Sequence, residues 1–172
     1  MSDAIRPATP ADASRIAEII VFNNRLNYFP IFRDEGFSFG TVQVLPLANR
    51  FLNDPELLGQ TWVYDDGVVK GLAVVKGTEI DKLYVEPSFQ GRGIGAKLLD
   101  FAVSRLGARC LWALEKNEGA LRFYARHGFM PTGARRPETG TPEYLVELRR
   151  EDGGDAGRAM RPAQLDTPNH LQ

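Results

Sequence analysis

Residues 83–99 read LYVEPSFQGRGIGAKLL, and the parsing of this stretch decides the fold. Its first three residues end a β-rich run, TEIDKLYV (78–85), which Pro87 closes. From Gly93 onward Ile94, Leu98, Leu99, Ala102 and Leu106 recur at helical spacing, and Gly107 stops the pattern. Between strand and helix, Gly91, Gly93 and Gly95 stand at every second position. Glycines so placed let the backbone pack closely and aim successive N–H groups at one point. The helix that follows adds its positive end, and Arg92 adds a full charge. The combination suits a pyrophosphate; the competing reading is a tight strand-to-helix turn that uses glycine for geometry alone.

Known phosphate loops can be tested against these residues. A Walker loop needs Gly-Lys-Ser/Thr, but Lys97 follows Ala96 and precedes Leu98. A dinucleotide fingerprint of the Rossmann type is met in letters by Gly91, Gly93 and Ala96, with Glu115 about 20 residues on as the ribose acid. Its first strand, however, is buried on both faces and runs directly into the first glycine. Here the strand carries Glu79, Asp81 and Lys82, and EPSFQ (86–90) intervenes, which argues against a Rossmann unit.

Outward from this loop, strand and helix patterns alternate. AIR (4–6) reads as a first strand, and a helix over about 10–22 follows, with Thr9 as N-cap, Pro10 in its first turn and Asp12 at its positive end. Residues 23–53 hold six aromatics, Tyr28, Phe29, Phe32, Phe37, Phe39 and Phe51, broken by Pro30, Gly36, Gly40 and Pro46. They read as a loop and then a helix near 41–53. TWVYD and VVKGLAVVKG form a hairpin at Asp66-Gly67. Downstream, CLWALE (110–115) is a strand, and Asn117 caps a helix through His127 that Gly128 ends. FMPTGAR and EYLVELRR close as two strands.

Three features of this pattern point to one family. LYVEPSFQGRGIGAKLL resembles the acyl-CoA pyrophosphate loop of the GNAT superfamily of N-acetyltransferases, Gln/Arg-x-x-Gly-x-Gly/Ala, with Gln90, Gly93 and Gly95 fitting without gaps. ALEKNEGALRFYARHGF (113–129) resembles the strand and helix that follow in that family, and IRPATPADA (5–13) its opening. The resemblance covers roughly 4–149, is dense over 79–129 and fades in 23–60. It implies a single α/β (α+β) domain over 1–150: a mixed, splayed, mostly antiparallel sheet of about seven strands flanked by about four helices. It further implies that acetyl-CoA lies in a gap between strands 78–85 and 110–115, as co-substrate and without a metal. The pantetheine arm would pair with the backbone near Leu83, Tyr84 and Val85. Amides of Gln90, Gly91, Arg92, Gly93, Ile94, Gly95 and Ala96 would hold the pyrophosphate. Asn117 matches the family position that reaches pantetheine, and a plain helix cap is its other reading.

Acetyl transfer to an amine needs a neutral nucleophile, a donor for the oxyanion and a proton for the departing thiolate. The Leu83 amide matches the family's oxyanion donor, and Tyr124 its general acid and a cofactor contact; a core aromatic is the alternative for Tyr124. Glu79 is the candidate base. By strand alternation Glu79, Asp81, Leu83 and Val85 share one face unless a bulge intervenes. Asp81 or water competes for that role, and a solvated strand face is the other reading. Segment 23–53 shapes the acceptor pocket in this family. Its aromatics suggest apolar walls, and Asp34 with Glu35 a lure for a cationic amine. Glu115, His127 and Cys110 read as structural.

Composition sets the outer bounds. The chain has 172 residues, 43% hydrophobic and 25% charged, which describes one globular domain with a real core. With 21 basic and 22 acidic residues the net charge is −1, so nothing draws the whole molecule to nucleic acid or anionic lipid. A single cysteine fits a reducing compartment. No apolar run reaches membrane-spanning length, and the opening residues lack a signal-peptide core, so a cytoplasmic protein is expected. Residues 151–172 lack periodicity and read as a flexible tail, dispensable for the chemical step. Expected partners are a small-molecule or peptide amine and, as an open possibility from the family, a second copy in a homodimer. A non-catalytic acyl-CoA-binding or sensor module is the alternative of a different class.

Overall fold

A computed structural model describes residues 4–151. The expected tail lies almost wholly outside them. The chain runs β1 (Ile5–Pro7), a 3₁₀ turn (Pro10–Asp12), α1 (Ala13–Asn27), α2 (Phe29–Phe32), a π turn (Gly36–Thr41), α3 (Val44–Asn53), α4 (Pro55–Gly59), β2 (Thr61–Asp65), β3 (Val69–Lys76) and β4 (Glu79–Val85). A further 3₁₀ turn (Pro87–Phe89) leads to α5 (Ile94–Leu106), β5 (Cys110–Leu114), α6 (Glu118–Arg126), β6 (Met130–Pro137) and β7 (Tyr144–Arg149). One seven-stranded sheet has the order β1-β2-β3-β4-β5-β7-β6. Every neighbouring pair is antiparallel except β4 with β5. The expected α/β architecture is present, with six helices among the described residues where about four were expected, because α2 and α4 are one-turn elements.

The first helix also runs further than its apolar pattern. Asparagines at 23 and 24 break the hydrophobic stripe, yet their amides bond back to the carbonyls of Ile19 (2.9 Å) and Ile20 (2.8 Å), one turn earlier. The helix therefore continues to Asn27 before Tyr28 caps it.

Two helical layers sandwich the sheet. Ile16, Ile19, Ile20, Phe51 and Leu57 from α1, α3 and α4 pack on Val63, Leu72 and Val74 of one face. Leu99 and Ala102 of α5 pack on Val75, Ile80 and Leu111 of the other, with Phe129 fully buried beside them. The β3 strand at the centre is buried over both faces, in keeping with its continuous apolar run.

At the far edge Arg6 fastens β1 to its neighbours. Its guanidinium donates to both oxygens of Asp12 (2.8 and 3.0 Å) and to Asp65 (2.7 and 3.0 Å), while Asp12 also accepts from the Thr9 N–H at 2.8 Å. Hydrogen bonding to Arg6 holds the Asp12 carboxyl below its usual range. A carboxyl depressed by folding stabilises only while ionised. Its contribution is complete above about pH 4 and is lost as pH falls through the lowered value. Asp12→Ala is expected to reduce stability by about 1–2 kcal/mol at neutral pH and to flatten the acid limb below about pH 4. Urea melts at pH 7 and pH 3.5 measure both. An unchanged midpoint at pH 7 would remove this network from the account of the fold.

Candidate active site

The gap in the sheet starts where β4 and β5 stop pairing. Only Glu79 with Cys110 and Ile80 with Leu111 are in parallel register, although β5 continues to Leu114 against β7. The divergence coincides with a bulge. Val74 faces Lys82 and Val75 faces Ile80, so Asp81 is an extra residue without a β3 partner. An extra residue reverses the alternation, and the expectation that Glu79 shares a face with Leu83 and Val85 is corrected. Ile80, Leu83 and Val85 point to the α5 layer, while Tyr84 packs with the α1 layer and Glu79 falls on its side. Asp81 is held by Lys82 (3.0 Å) and Lys76 (3.3 Å). Burial pushes its carboxyl up, but the two ammonium groups outweigh this and the net shift is downward. Glu79 has no ion-pair partner among the described residues.

Beyond the bulge, the edge of β4 is left open. The Glu86 N–H donates to Lys70 O at 2.8 Å. In an antiparallel ladder this turns the peptide groups of Tyr84 and Lys82 toward β3 as well, and those of Leu83 and Val85 toward the gap. The Val85 carbonyl accepts from the side-chain amides of Asn23 (3.0 Å) and Gln90 (3.1 Å). Among the described residues the Leu83 N–H, the Leu83 carbonyl and the Val85 N–H remain as an unpaired strand edge. Asn23 is a cavity-lining residue that the sequence reading passed over. Its signal was available, since it continues the Ile16, Ile19, Ile20 stripe as a polar residue in a buried position.

At the mouth of this edge stands the glycine loop. Gly91 and Gly93 have φ of +75° and +79°, and Gly93 is the N-cap of α5. No side chain caps this helix, so the N–H groups of Ile94, Gly95 and Ala96 have no acceptor within it. Gly91, Gly93, Ile94, Gly95 and Ala96 all line the cavity. Gly95 serves close approach: a Cβ there would lie 3.5 Å from Phe123 and 3.6 Å from Val85, where α5 meets α6 across the gap. Arg92 lies outside the cavity lining, its guanidinium 5.3 Å from the Phe89 ring centre. The Gln90 side chain turns inward to Asn23 and Val85, leaving its backbone on the loop.

The second wall is α6. Asn117 caps it by accepting from the Ala120 N–H at 3.2 Å, and Asn117 also lines the cavity. Tyr124, two turns in, packs on Phe123 and Phe129 with ring centres 5.2 and 6.0 Å away. Among the described residues its hydroxyl has no partner and no sealed polar side-chain atom lacks one, so the hydroxyl is not sealed, and Tyr124 lines the cavity. Burial, and after it the neighbouring Tyr28, raises this phenol well above its ordinary range. Tyr28 and Tyr84 join it on the cavity wall, their hydroxyls 3.2 Å apart. Burial likewise raises Tyr84 strongly. His127 Nδ1 donates to Phe123 O (2.8 Å), Glu115 pairs with Arg135 (2.7 Å), and Cys110 is buried.

The cavity encloses about 890 Å³. Of the 23–53 aromatics, Tyr28, Phe32 and Phe37 line it, whereas Phe51 belongs to the core and Phe29 pairs with Phe39 away from it. Asp34 and Glu35 are absent from its wall, and the Asp34 carboxylate is occupied by the Phe37 N–H at 2.9 Å. The acid on that side is Glu138, from the turn between β6 and β7. Among the described residues no group of His, Cys, Asp and Glu could hold a metal ion, and no helix is long and apolar enough to cross a membrane.

Comparison with known proteins agrees with this geometry. Residues 58–131 match the model of the acetyltransferase (GNAT) domain. The peptidyl-lysine N-acetyltransferase YjaB of Salmonella typhimurium is 30% identical over 103 residues, covering 59% of this chain and 70% of that protein. YjaB of Escherichia coli is 32% identical over 79 residues, covering 45% and 54%. A 56-residue match to the uncharacterized N-acetyltransferase MJ1207 of Methanocaldococcus jannaschii is 43% identical, covering 30% of this chain and 25% of that one. The chain thus spans only a quarter to about half the length of the latter two relatives. In three dimensions it resembles apo YjaB of E. coli (TM-score 0.70, 24% identity, 84% of this chain and 95% of that one). It also resembles the PaiA N-acetyltransferase of Thermoplasma acidophilum, solved with coenzyme A (TM-score 0.63, 17% identity, 84% and 97%).

Proposed function

The chain belongs to the GNAT acetyltransferase family, and from that premise we propose that it moves an acetyl group from acetyl-CoA to a primary amine by direct attack within a ternary complex. The observation that carries this reading is one cavity bordered by three complementary features: the unpaired Leu83–Val85 edge, the uncapped amides of Ile94, Gly95 and Ala96, and the free Tyr124 hydroxyl. An extended amide-bearing arm suits the first, a pyrophosphate the second and a leaving thiolate the third. Acetyl-CoA, when bound, supplies an acetyl group activated as a thioester.

The chain's own residues do the rest. Asn117 and the strand edge hold the pantetheine arm. The amine loses one proton, to Glu79 or to water, before its nitrogen forms the new bond to the carbonyl carbon. Glu79 is preferred over Asp81 because two lysines already hold Asp81. The Leu83 N–H faces the carbonyl oxygen as negative charge develops there. As the carbon–sulfur bond breaks, Tyr124 protonates the sulfur, and the proton shed by the amide nitrogen returns to it through solvent. Burial keeps this phenol protonated throughout the working range, so the proton is present when the sulfur departs. The acceptor is a small-molecule or peptide amine, and the names of the YjaB relatives make a peptide lysine one member of the set.

The test is a steady-state assay of acetyl-CoA against a panel of primary amines, with released thiol as readout. Amine-dependent thiol release is expected. Tight acetyl-CoA binding with no release for any amine would make the protein a binding module on the same fold.

A further inference from the structure

Resting on the acetyltransferase reading, we propose that the acceptor is an aliphatic amine carrying a second positive charge, and that Glu138 and the aromatic wall beside it hold that charge while the other nitrogen reacts. The argument starts from the hairpin. Leu145 of β7 pairs with Leu114 at the open end of the gap, and Glu138 lies beyond it in the turn. Its backbone is pinned on both sides, with the Glu138 N–H on Glu143 O (2.9 Å) and its carbonyl accepting from the Thr141 N–H and hydroxyl (both 3.1 Å). The backbone of Glu138 is therefore fixed on the cavity rim; the residue is half-buried, and its carboxylate has no hydrogen bond or ion pair among the described residues.

Next to it the wall is aromatic. Tyr28 and Phe32 lie 5.9 Å apart at a tilt of 43°, and Phe32 meets Phe37 edge-on at 5.5 Å. Rings facing a common slot, with a carboxylate at its end, recognise an alkylammonium through cation–π attraction and a charge-assisted hydrogen bond. Glu138, Tyr28, Phe32 and Phe37 line the same cavity.

Glu79, or water, already takes the proton of the reacting nitrogen, so the Glu138 carboxylate at the rim is left for a separate charge. The reacting end therefore belongs deeper, toward Leu83 and Tyr124, and a separate cation belongs at the rim. Arg136, two residues earlier on the hairpin, also lines the cavity, but its guanidinium is stacked 4.2 Å from the Trp112 ring centre. An acceptor bearing a carboxylate on that arginine is the rival arrangement.

Three probes of equal length separate these cases: pentylamine, 1,5-diaminopentane and 5-aminopentanoate, with a lysine dipeptide amide to tell a peptide-borne second cation from a free one. The wild type is expected to favour the diamine or the dipeptide over pentylamine by about 10-fold or more in kcat/KM, with the amino acid last. Glu138→Gln should erase that preference through KM, and Arg136→Gln should retain it. A preference for 5-aminopentanoate, an unchanged preference in a folded Glu138→Gln protein, or turnover of none of these amines would overturn the proposal. Acetyl-CoA titration of the wild type keeps the two levels apart. Loss of that binding would overturn the acetyltransferase reading itself, whereas binding with the wrong acceptor order overturns only this one.

Discussion

Gly93→Val is expected to lower the affinity for CoA by about 100-fold or more while leaving a folded protein. Gly93 adopts φ of +79° as the N-cap of α5, a region that costs a non-glycine residue about 1–2 kcal/mol and a β-branched one at least that. Nothing lies within 4 Å of a Cβ built there, so no internal clash adds to the cost. Strain alone accounts for roughly 5- to 30-fold if it is relieved only in the free protein. A larger loss requires that the loop relax to another φ and carry the Ile94, Gly95 and Ala96 amides off their common target. Calorimetric titration with CoA, beside a thermal melt, measures both. Affinity within about 5-fold of wild type in a folded variant would remove the loop from the anion site. Gly95 behaves differently. A Cβ there meets Phe123 and Val85 at ordinary contact distance, so Gly95→Ala should be tolerated far better than Gly93→Val.

This loop was legible in the sequence because Gly91 and Gly93 are required by backbone angle, which is a local property. The helix starts at Thr9 and Asn117 and the stop at Gly107 were legible for the same reason. The bulge was not. The adjacent polar pair Asp81-Lys82 breaks the alternation begun at Glu79-Ile80, but the break alone does not say which residue is the extra one. Only pairing with β3 exposes it, and with it the true facing of Glu79. The helix near 41–53 is present as α3, but the stretch before it was not legible, for another reason. Four residues of α2 and six of the π turn are too short for periodicity to act on, and Phe32 and Phe37 take their places by ring contact. Glu138 reaches the cavity through the return of β6 and β7 along β5, a long-range placement with no signal in its neighbours. The cofactor side was thus written in short motifs, and the acceptor side in tertiary contacts.

Tyr124→Phe should lower kcat by about 10²–10⁴-fold, the usual weight of a general acid, with CoA affinity nearly unchanged. The substitution removes one oxygen that has no protein partner, so no buried group is orphaned, and the ring keeps its contacts with Phe123 and Phe129. Stability should therefore stay within about 0.5 kcal/mol of wild type. The pH profile provides a second, independent reading. Because burial raises the phenol above its ordinary range, its loss as a donor falls on the alkaline side of that range. Any alkaline fall in kcat below about pH 10 must then come from another group. On the acid side, rates should rise with pH as the acceptor amine loses its proton, and this limb should survive in Tyr124→Phe because it belongs to the amine. A variant with wild-type kcat, where chemistry is shown to limit turnover, would reduce Tyr124 to a packing residue and leave thiolate protonation to water. A variant that loses CoA binding together with turnover would make the hydroxyl a cofactor contact. Retained binding with collapsed turnover is the result that separates the proton from the ring that carries it.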